Sequence, residues 1–165
     1  MPKDSGIGAS TKRVEDQRFL TGKGRYTSDI NLVNQTHAVF LRSDVAHGAI
    51  KSIDTAAAAA MPGVLAIFTG EDFAEVGGNP AGWAITSRDG EPMKEPKRPV
   101  LAHGKVRHVG DAYVAVIAET VEQARDAADA IVAEIEELPA VVDMSAALVG
   151  GPFVHDEIEP TNVLI

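Results

Sequence analysis

His103 and His108, with Asp111 close behind, are the side chains that most directly invite chemistry in this chain. Imidazole nitrogens and carboxylates are ordinary zinc ligands. A separation of five residues, however, puts the two histidines on neither one helix face nor one strand face. A loop would have to converge them, and a third ligand would have to join. Thr21-Gly-Lys-Gly-Arg25 has the glycines and the lysine of a phosphate loop. A true one sits between a strand and a helix, so that backbone amides cradle the phosphates. Here no strand pattern precedes it and Tyr26 follows, which reads as a turn with basic flanks. Glu134, Glu136, Glu137 and Asp143 offer paired carboxylates. General acid catalysis needs a buried carboxyl with a raised pKa. Glu134 and Glu136 share one strand face, the outer one if Ile135 and Val132 face inward, and are read as surface groups. His37, His47 and His155 stand alone and read as structural. No nucleophile, base and orienting group lie in a recognisable arrangement.

Composition narrows the field further. The chain has no cysteine, which excludes disulfides, a thiolate nucleophile and a protein-ligated iron–sulfur cluster within it. Its 165 residues fit one compact domain, and 45% apolar content supports a sizeable core. The net charge of −9 is uneven: +2 over residues 1–30, −1 over 31–118 and −10 over 119–159. That acidic stretch argues against nucleic acid as a partner, because phosphate binding relies on clustered Lys and Arg. No run approaches the ~20 apolar residues of a membrane span. The N-terminal residues carry no apolar signal core, so the expected location is cytoplasmic.

Two segments do not follow a regular period. Arg13 to Asp29 carries seven charged residues and two glycines in seventeen, and has no apolar face of its own. Its charges and backbone need anchoring by the rest of the domain or by a neighbour. Gly70 to Pro99 holds five glycines, four prolines and the single tryptophan, Trp83. A long excursion of this kind is functional, partner-covered or disordered.

The remaining chain alternates strand and helix signals. Thr36–Arg42 and Ala49–Ile53 predict strands. Asp54 is placed to cap a helix over Thr55–Met61, which Pro62-Gly63 stops. Val64–Thr69 predicts a strand buried on both faces. A short helix is expected near Glu71–Glu75. Val106–Val109 and Ala112–Ala118 predict strands, the second a central one. Thr120 and Gln123 form a capping box, and Val121, Ala124, Ala127, Ala128 and Ile131 mark one helical face. Val132–Leu138 predicts a strand ended by Pro139, and one helical turn is expected within Val141–Leu148. The class is α+β, with a mixed, mostly antiparallel sheet and two main helices.

The motifs taken together resemble one family. Arg13-x-Glu-Asp-x-Arg-x-Leu-x-Gly-x-Gly-x-Tyr26-x-x-Asp29 is similar to the opening of the large subunit of molybdenum hydroxylases, the xanthine dehydrogenase, aldehyde oxidase and aerobic carbon monoxide dehydrogenase group. Ala46-His-Gly48, Met61-Pro-Gly63, Phe68-Thr-Gly-Glu-Asp72, Val109-Gly-Asp111, Leu138-Pro-Ala-Val-Val-Asp143 and Val154-His-Asp-Glu157 continue the likeness in order. Asp44, where the family often has proline, and the loop 74–99 depart from it. The resemblance implies an N-terminal α/β-hammerhead domain over residues 13–148. Residues 1–12 would be an extension and 149–165 a linker toward a molybdopterin-binding domain. It implies a structural and assembly role, with no catalytic, cofactor or metal residue in this chain. Molybdopterin (Mo), FeS and FAD would belong to the complete enzyme. The implied partners are the molybdopterin-binding C-terminal domain or chain and the iron–sulfur and flavin subunits. Arg13, Arg18, Arg25, Tyr26 and Trp83 are the candidate interdomain contacts. The alternatives are a stand-alone binding module and a small metal-dependent enzyme using His103, His108 and Asp111.

Overall fold

The computed structural model describes residues 7, 9, 12–80, 82–83, 85–158 and 161–163. The chain divides into two compact units, Met1–Gln35 and Thr36–Ile165.

In the second unit the apolar runs become strands β1 (His37–Arg42), β2 (Gly48–Asp54), β3 (Val64–Thr69), β4 (Lys105–Val106), β5 (Ala112–Ala118) and β6 (Val132–Glu137). They form two three-stranded antiparallel sheets rather than one. Sheet A has the order β1-β5-β3, and sheet B the order β4-β2-β6. β5 is central, as its unbroken apolar run predicts. Its Val114 and Val116 are fully buried.

The helix that covers sheet A is α3 (Val121–Asp129). It lies against all three strands. Ala124, Ala127 and Ala128 face Val114, Val116 and Ala118 in one buried cluster. Alanines on that face leave the helix backbone room to approach the sheet closely. The capping box forms as expected: the Gln123 amide N–H donates to Thr120 Oγ1 at 3.2 Å, and the Thr120 N–H donates to Gln123 Oε1 at 3.1 Å. Ile50, Ala133 and Ile135 of sheet B pack onto the same core.

Several boundaries differ from the sequence reading, each for a local reason. The helix expected over 55–61 shrinks to α2 (Ala56–Ala59). β2 runs on through Asp54, whose carboxylate then accepts the Ala56 N–H at 2.9 Å. β4 stops after Val106, because the Arg107 N–H turns to the Asp111 carboxylate at 3.0 Å instead of to a neighbouring strand. β3 is not buried on both faces. It is an edge strand with a helix on one side only, and Leu65 and Phe68 are exposed. Val132 does not face inward. At 69% exposed it shares the outward face with Glu134 and Glu136, while Ala133 and Ile135 point to the core. The final helix, α4 (Met144–Val149), is capped by the Asp143 carboxylate, which accepts the Ala146 N–H at 2.7 Å.

The excursion 70–99 is organised, among the described residues, as an irregular hairpin. It begins with a 3-10 helix, Glu71–Val76. Asn79 and Arg98 then exchange backbone hydrogen bonds at 2.7 and 3.2 Å. A second bridge pairs Thr86 with Pro92. In the first unit, the irregular segment contains a five-residue helix, α1 (Asp16–Leu20), with no buried residue, and a 3-10 turn at Thr27–Asp29.

Gly63 links two of these features. Its φ is +79°, and a Cβ there would lie 2.2 Å from Gln123 Nε2, in the capping side chain of α3. Gly63→Ala should therefore cost about 2 kcal/mol, from the left-handed backbone and the displaced cap together. In a Gln123→Ala background the same substitution should cost only about 1 kcal/mol, the backbone part. Urea denaturation of the four variants checks this; full additivity would show that the cap is not displaced.

Candidate interdomain site

In the first unit the candidate contact residues gather around α1. The Arg18 guanidinium donates to Glu15 at 2.5 Å and lies 4.9 Å from the centre of the Phe19 ring. That ring stacks on Tyr26 at 5.5 Å. The chain must pass close to Phe19 to achieve this: a Cβ on Gly24 would sit 2.7 Å from its ring. The Tyr26 N–H donates to the Asp29 carboxylate at 2.9 Å, and Arg13 pairs with Asp16 at 3.6 Å. Arg13 and Arg18 are thus engaged within the unit, while Tyr26 stays largely exposed. Arg25 is exposed, and no described residue partners its side chain. The turn at Thr21–Arg25 is no phosphate cradle. Its amides close α1 instead, Gly22 N–H to Phe19 O at 3.1 Å and Lys23 N–H to Arg18 O at 2.9 Å.

In the second unit, Trp83 is 82% exposed. It borders a hollow of about 530 Å³ with Asn79, Pro80, Met93, Pro96 and Arg98. His103 and His108 are both exposed. His108 Nδ1 lies 3.8 Å from Asp111, whose carboxylate already accepts the Arg107 N–H. No three His, Cys, Asp or Glu side chains converge among the described residues. Two of the carboxylates have structural roles. Glu136 pairs with Lys51 at 2.5 Å and its hydrogen bond raises the lysine pKa, and Asp143 caps α4.

A cluster that the sequence reading missed joins β4 to the segment 152–158. Lys105 reaches Asp156 at 2.7 Å, and Arg107 reaches Glu157 at 3.1 Å. Arg107 Nε also donates to the Val154 carbonyl at 3.2 Å. Asn162 closes the segment, donating to the Pro152 carbonyl and accepting the Val154 N–H at 3.1 Å. The signal was present in the sequence. Lys105 and Arg107 flank a buried valine, and Asp156-Glu157 lies in the strongly acidic stretch. Nothing in linear spacing pairs residues 50 apart.

These two sheets, the alanine helix across one of them and the turn motifs coincide with a known domain. The family model for the aldehyde oxidase and xanthine dehydrogenase a/b hammerhead domain matches residues 21–139. The chain belongs to that family. It is 40% identical over 158 residues to the nicotine 6-hydroxylase large subunit of Paenarthrobacter nicotinovorans, covering 95% of this chain and 19% of that protein. It is 38% identical over 136 residues to the xanthine dehydrogenase molybdenum-binding subunit of Escherichia coli O157:H7, covering 82% of this chain and 18% of that one. The quinoline 2-oxidoreductase structure from Pseudomonas putida 86 superposes with a TM-score of 0.78 and 41% identity, covering 93% of this chain and 19% of that one. The hammerhead chain therefore spans about a fifth of the length of the relatives it matches.

A molybdenum–pterin group does not fit the residues described in this hammerhead chain. The buried polar side chains are Ser43 and His47. Ser43 Oγ bonds the Val45 carbonyl at 2.8 Å, and His47 Nδ1 donates to the Pro139 carbonyl at 2.8 Å. His47 Nε2 is left buried without a hydrogen-bond partner, and this single atom is not a set of donors for such a group.

The clamp on residues 152–158 carries a pH dependence. The Lys105 hydrogen bond holds the Asp156 pKa below its ordinary value. For Glu157, burial pushes upward, but bonds from His155 and the backbone and the Arg107 charge leave it lowered. A carboxylate with a lowered folded pKa stabilises the bound form above its unfolded value of about 4, and that contribution disappears as pH falls through the folded value. Amide exchange across 152–158 should therefore be slow at pH 6 and should rise selectively below about pH 4. Lys105→Gln with Arg107→Gln should reproduce the rise at pH 6. Unchanged protection in that variant would mean the ion pairs do not hold the segment.

Proposed function

We propose that this chain is the N-terminal structural and assembly domain of a molybdenum hydroxylase large subunit, and that it is not catalytic by itself. The observation that carries this reading is the coverage. Nearly the whole chain aligns, at 40% identity, with only 19% of a hydroxylase large subunit. In such an enzyme the cofactor supplies the hard chemistry, and protein supplies binding, orientation and shape. The reaction proposed for the complete enzyme is hydroxylation of a small aldehyde or N-heterocycle, or oxidation of carbon monoxide, in the cytoplasm. The proposed neighbours are the molybdopterin-binding portion of the large subunit and the iron–sulfur and flavin subunits. No helix among the described residues is long and apolar enough to cross a membrane.

Within this reading the contact candidates separate by their local engagement. Arg13 and Arg18 already have intrachain carboxylates, and they shape the α1 turn. Arg25, Tyr26 and Trp83 are exposed and available, and Arg and aromatic side chains are the residue types that anchor interfaces. Residues 149–165 act as the linker toward the pterin-binding portion.

The test is purification from the native cells through an N-terminal tag at the chromosomal locus. Molybdenum, iron and flavin should accompany the tag in stoichiometric amounts, whether on the same polypeptide or an associated one. A preparation free of molybdenum would overturn the reading. Arg25→Ala combined with Trp83→Ala should lower molybdenum recovered per tag about five-fold or more, with an unchanged circular dichroism spectrum. Full recovery would remove both residues from the interface.

A further inference from the structure

The two sheets of the Thr36–Ile165 unit present unlike outward faces. In sheet B, register places Ser52 opposite Glu134 and Ala49 opposite Glu136, and Lys51 pairs with Glu136. That face suits water. In sheet A, the pleat that sends Val39, Val116 and Ile67 inward sends the alternate residues outward. These are Ala38, Phe40, Ala66, Phe68, Ala115 and Ile117, and none carries a charge. An antiparallel sheet facing solvent ordinarily alternates apolar inward with polar outward. Sheet B follows that rule except at Val132, at the end of its strand, and sheet A breaks it across two rows.

Geometry concentrates the apolar surface. Phe40 and Phe68 both pair with Ala115, so the two rings flank it in one row across the sheet. Ala38, Ile117 and Ala66 form the adjacent row. Strand spacing sets the two phenylalanine Cα atoms about 10 Å apart over a floor of small side chains. Phe40 is 47% exposed and Phe68 is 39% exposed. Phe73 extends the stripe, with its ring 5.8 Å from that of Phe68. Arg42 forms a polar rim at the other end, 5.8 Å from the Phe40 ring and donating to the Gly110 carbonyl at 3.0 Å.

We propose that this outward face of sheet A docks an apolar surface of the molybdopterin-binding remainder of the large subunit. The inference rests on the function proposed above and assigns it a surface. Two arguments select that occupant. The first is area. At about 200 Å² for a phenylalanine side chain, the two rings leave roughly 170 Å² exposed. A stable dimer needs about 800 Å² per partner. The stripe is too small to hold a second copy of this chain, but suits one contact among several with a large neighbour. The second is size. The matched relatives carry more than four-fifths of their length outside the aligned region, so a neighbour of that extent is built into each of them.

Hydroxyl-radical footprinting of the tagged, molybdenum-containing preparation tests the proposal. Tyr113, which is 8% exposed, serves as the internal buried standard. Corrected for intrinsic reactivity, Phe40 and Phe68 should label at the Tyr113 rate, about five-fold slower than exposures of 47% and 39% would give. Labelling at the faster rate in a preparation that contains molybdenum would overturn the docking face and leave the assembly reading standing. A preparation without molybdenum removes both. Protection accompanied by a molybdenum-free dimer would assign the face to a second copy and overturn the proposal. Phe40→Ser with Phe68→Ser, outside the buried core, should lower molybdenum per tag about ten-fold. Glu134→Ser with Glu136→Ser on sheet B should leave it unchanged.

Discussion

The contact between α3 and β5 is the constraint on which the larger unit depends. Val114, Val116 and Ala118 on the strand meet Ala124, Ala127 and Ala128 on the helix, and all are buried. Such a seam leaves little tolerance for change in either direction. A larger residue on the helix would lift it from the sheet, and a smaller one on the strand would open a void. The flanking strands are held in turn, because β1 and β3 each pair with β5 and not with one another. The helix start is fixed by the capping box, and Gly63 exists in a conformation that gives Gln123 its place. Packing, capping and turn chemistry are therefore one coupled arrangement.

Charge plays a different part. In the larger unit, three of the carboxylates that invited a catalytic reading hold backbone or another charge. Asp111 fixes the Arg107 turn and Asp143 caps α4. Glu136 balances Lys51. Exposed ion pairs contribute little to global stability. The Lys105–Asp156 and Arg107–Glu157 pairs differ in having cations about four-fifths covered. They set the path of a segment that has no strand or helix of its own, which packing alone leaves undetermined.

What the sequence made legible follows from how local each determinant is. The capping box, the central strand and the family motifs are written in neighbouring residues, and they appear where expected. The helix over 55–61 was overextended because alanine propensity is strong, while the competing pairing of β2 through Asp54 is non-local. Val132 was turned inward for a similar reason: apolar identity suggested burial, but strand alternation with Ala133 and Ile135 decides the face. The division into two sheets could not be read, since which strands pair is a tertiary fact. The candidate site was legible only in part. Tyr26 and Trp83 are exposed, whereas the engagement of Arg13 and Arg18 by carboxylates three residues away is an alternative that charge spacing leaves open and geometry resolves.

On the proposed reading, a domain without its own chemistry constrains chemistry beside it by being stiff and presenting fixed surfaces. Stiffness here comes from two small sheets sharing a core with one helix, an arrangement in which neither sheet can twist without disturbing α3 or the Ile50–Ile135 contact. Fixed surfaces then differ by chemistry. Sheet B turns carboxylates and a lysine outward, and those groups are satisfied by water. Sheet A turns aromatic and aliphatic groups outward, and water does not satisfy them. A sheet face that meets water ordinarily carries polar residues, as at Glu134 and Glu136 and unlike Phe40 and Phe68. The cover proposed above would account for these two rings on an uncharged row, and a cover seated on the sheet is positioned by it. On the proposed reading, that positioning is what this domain contributes to the enzyme.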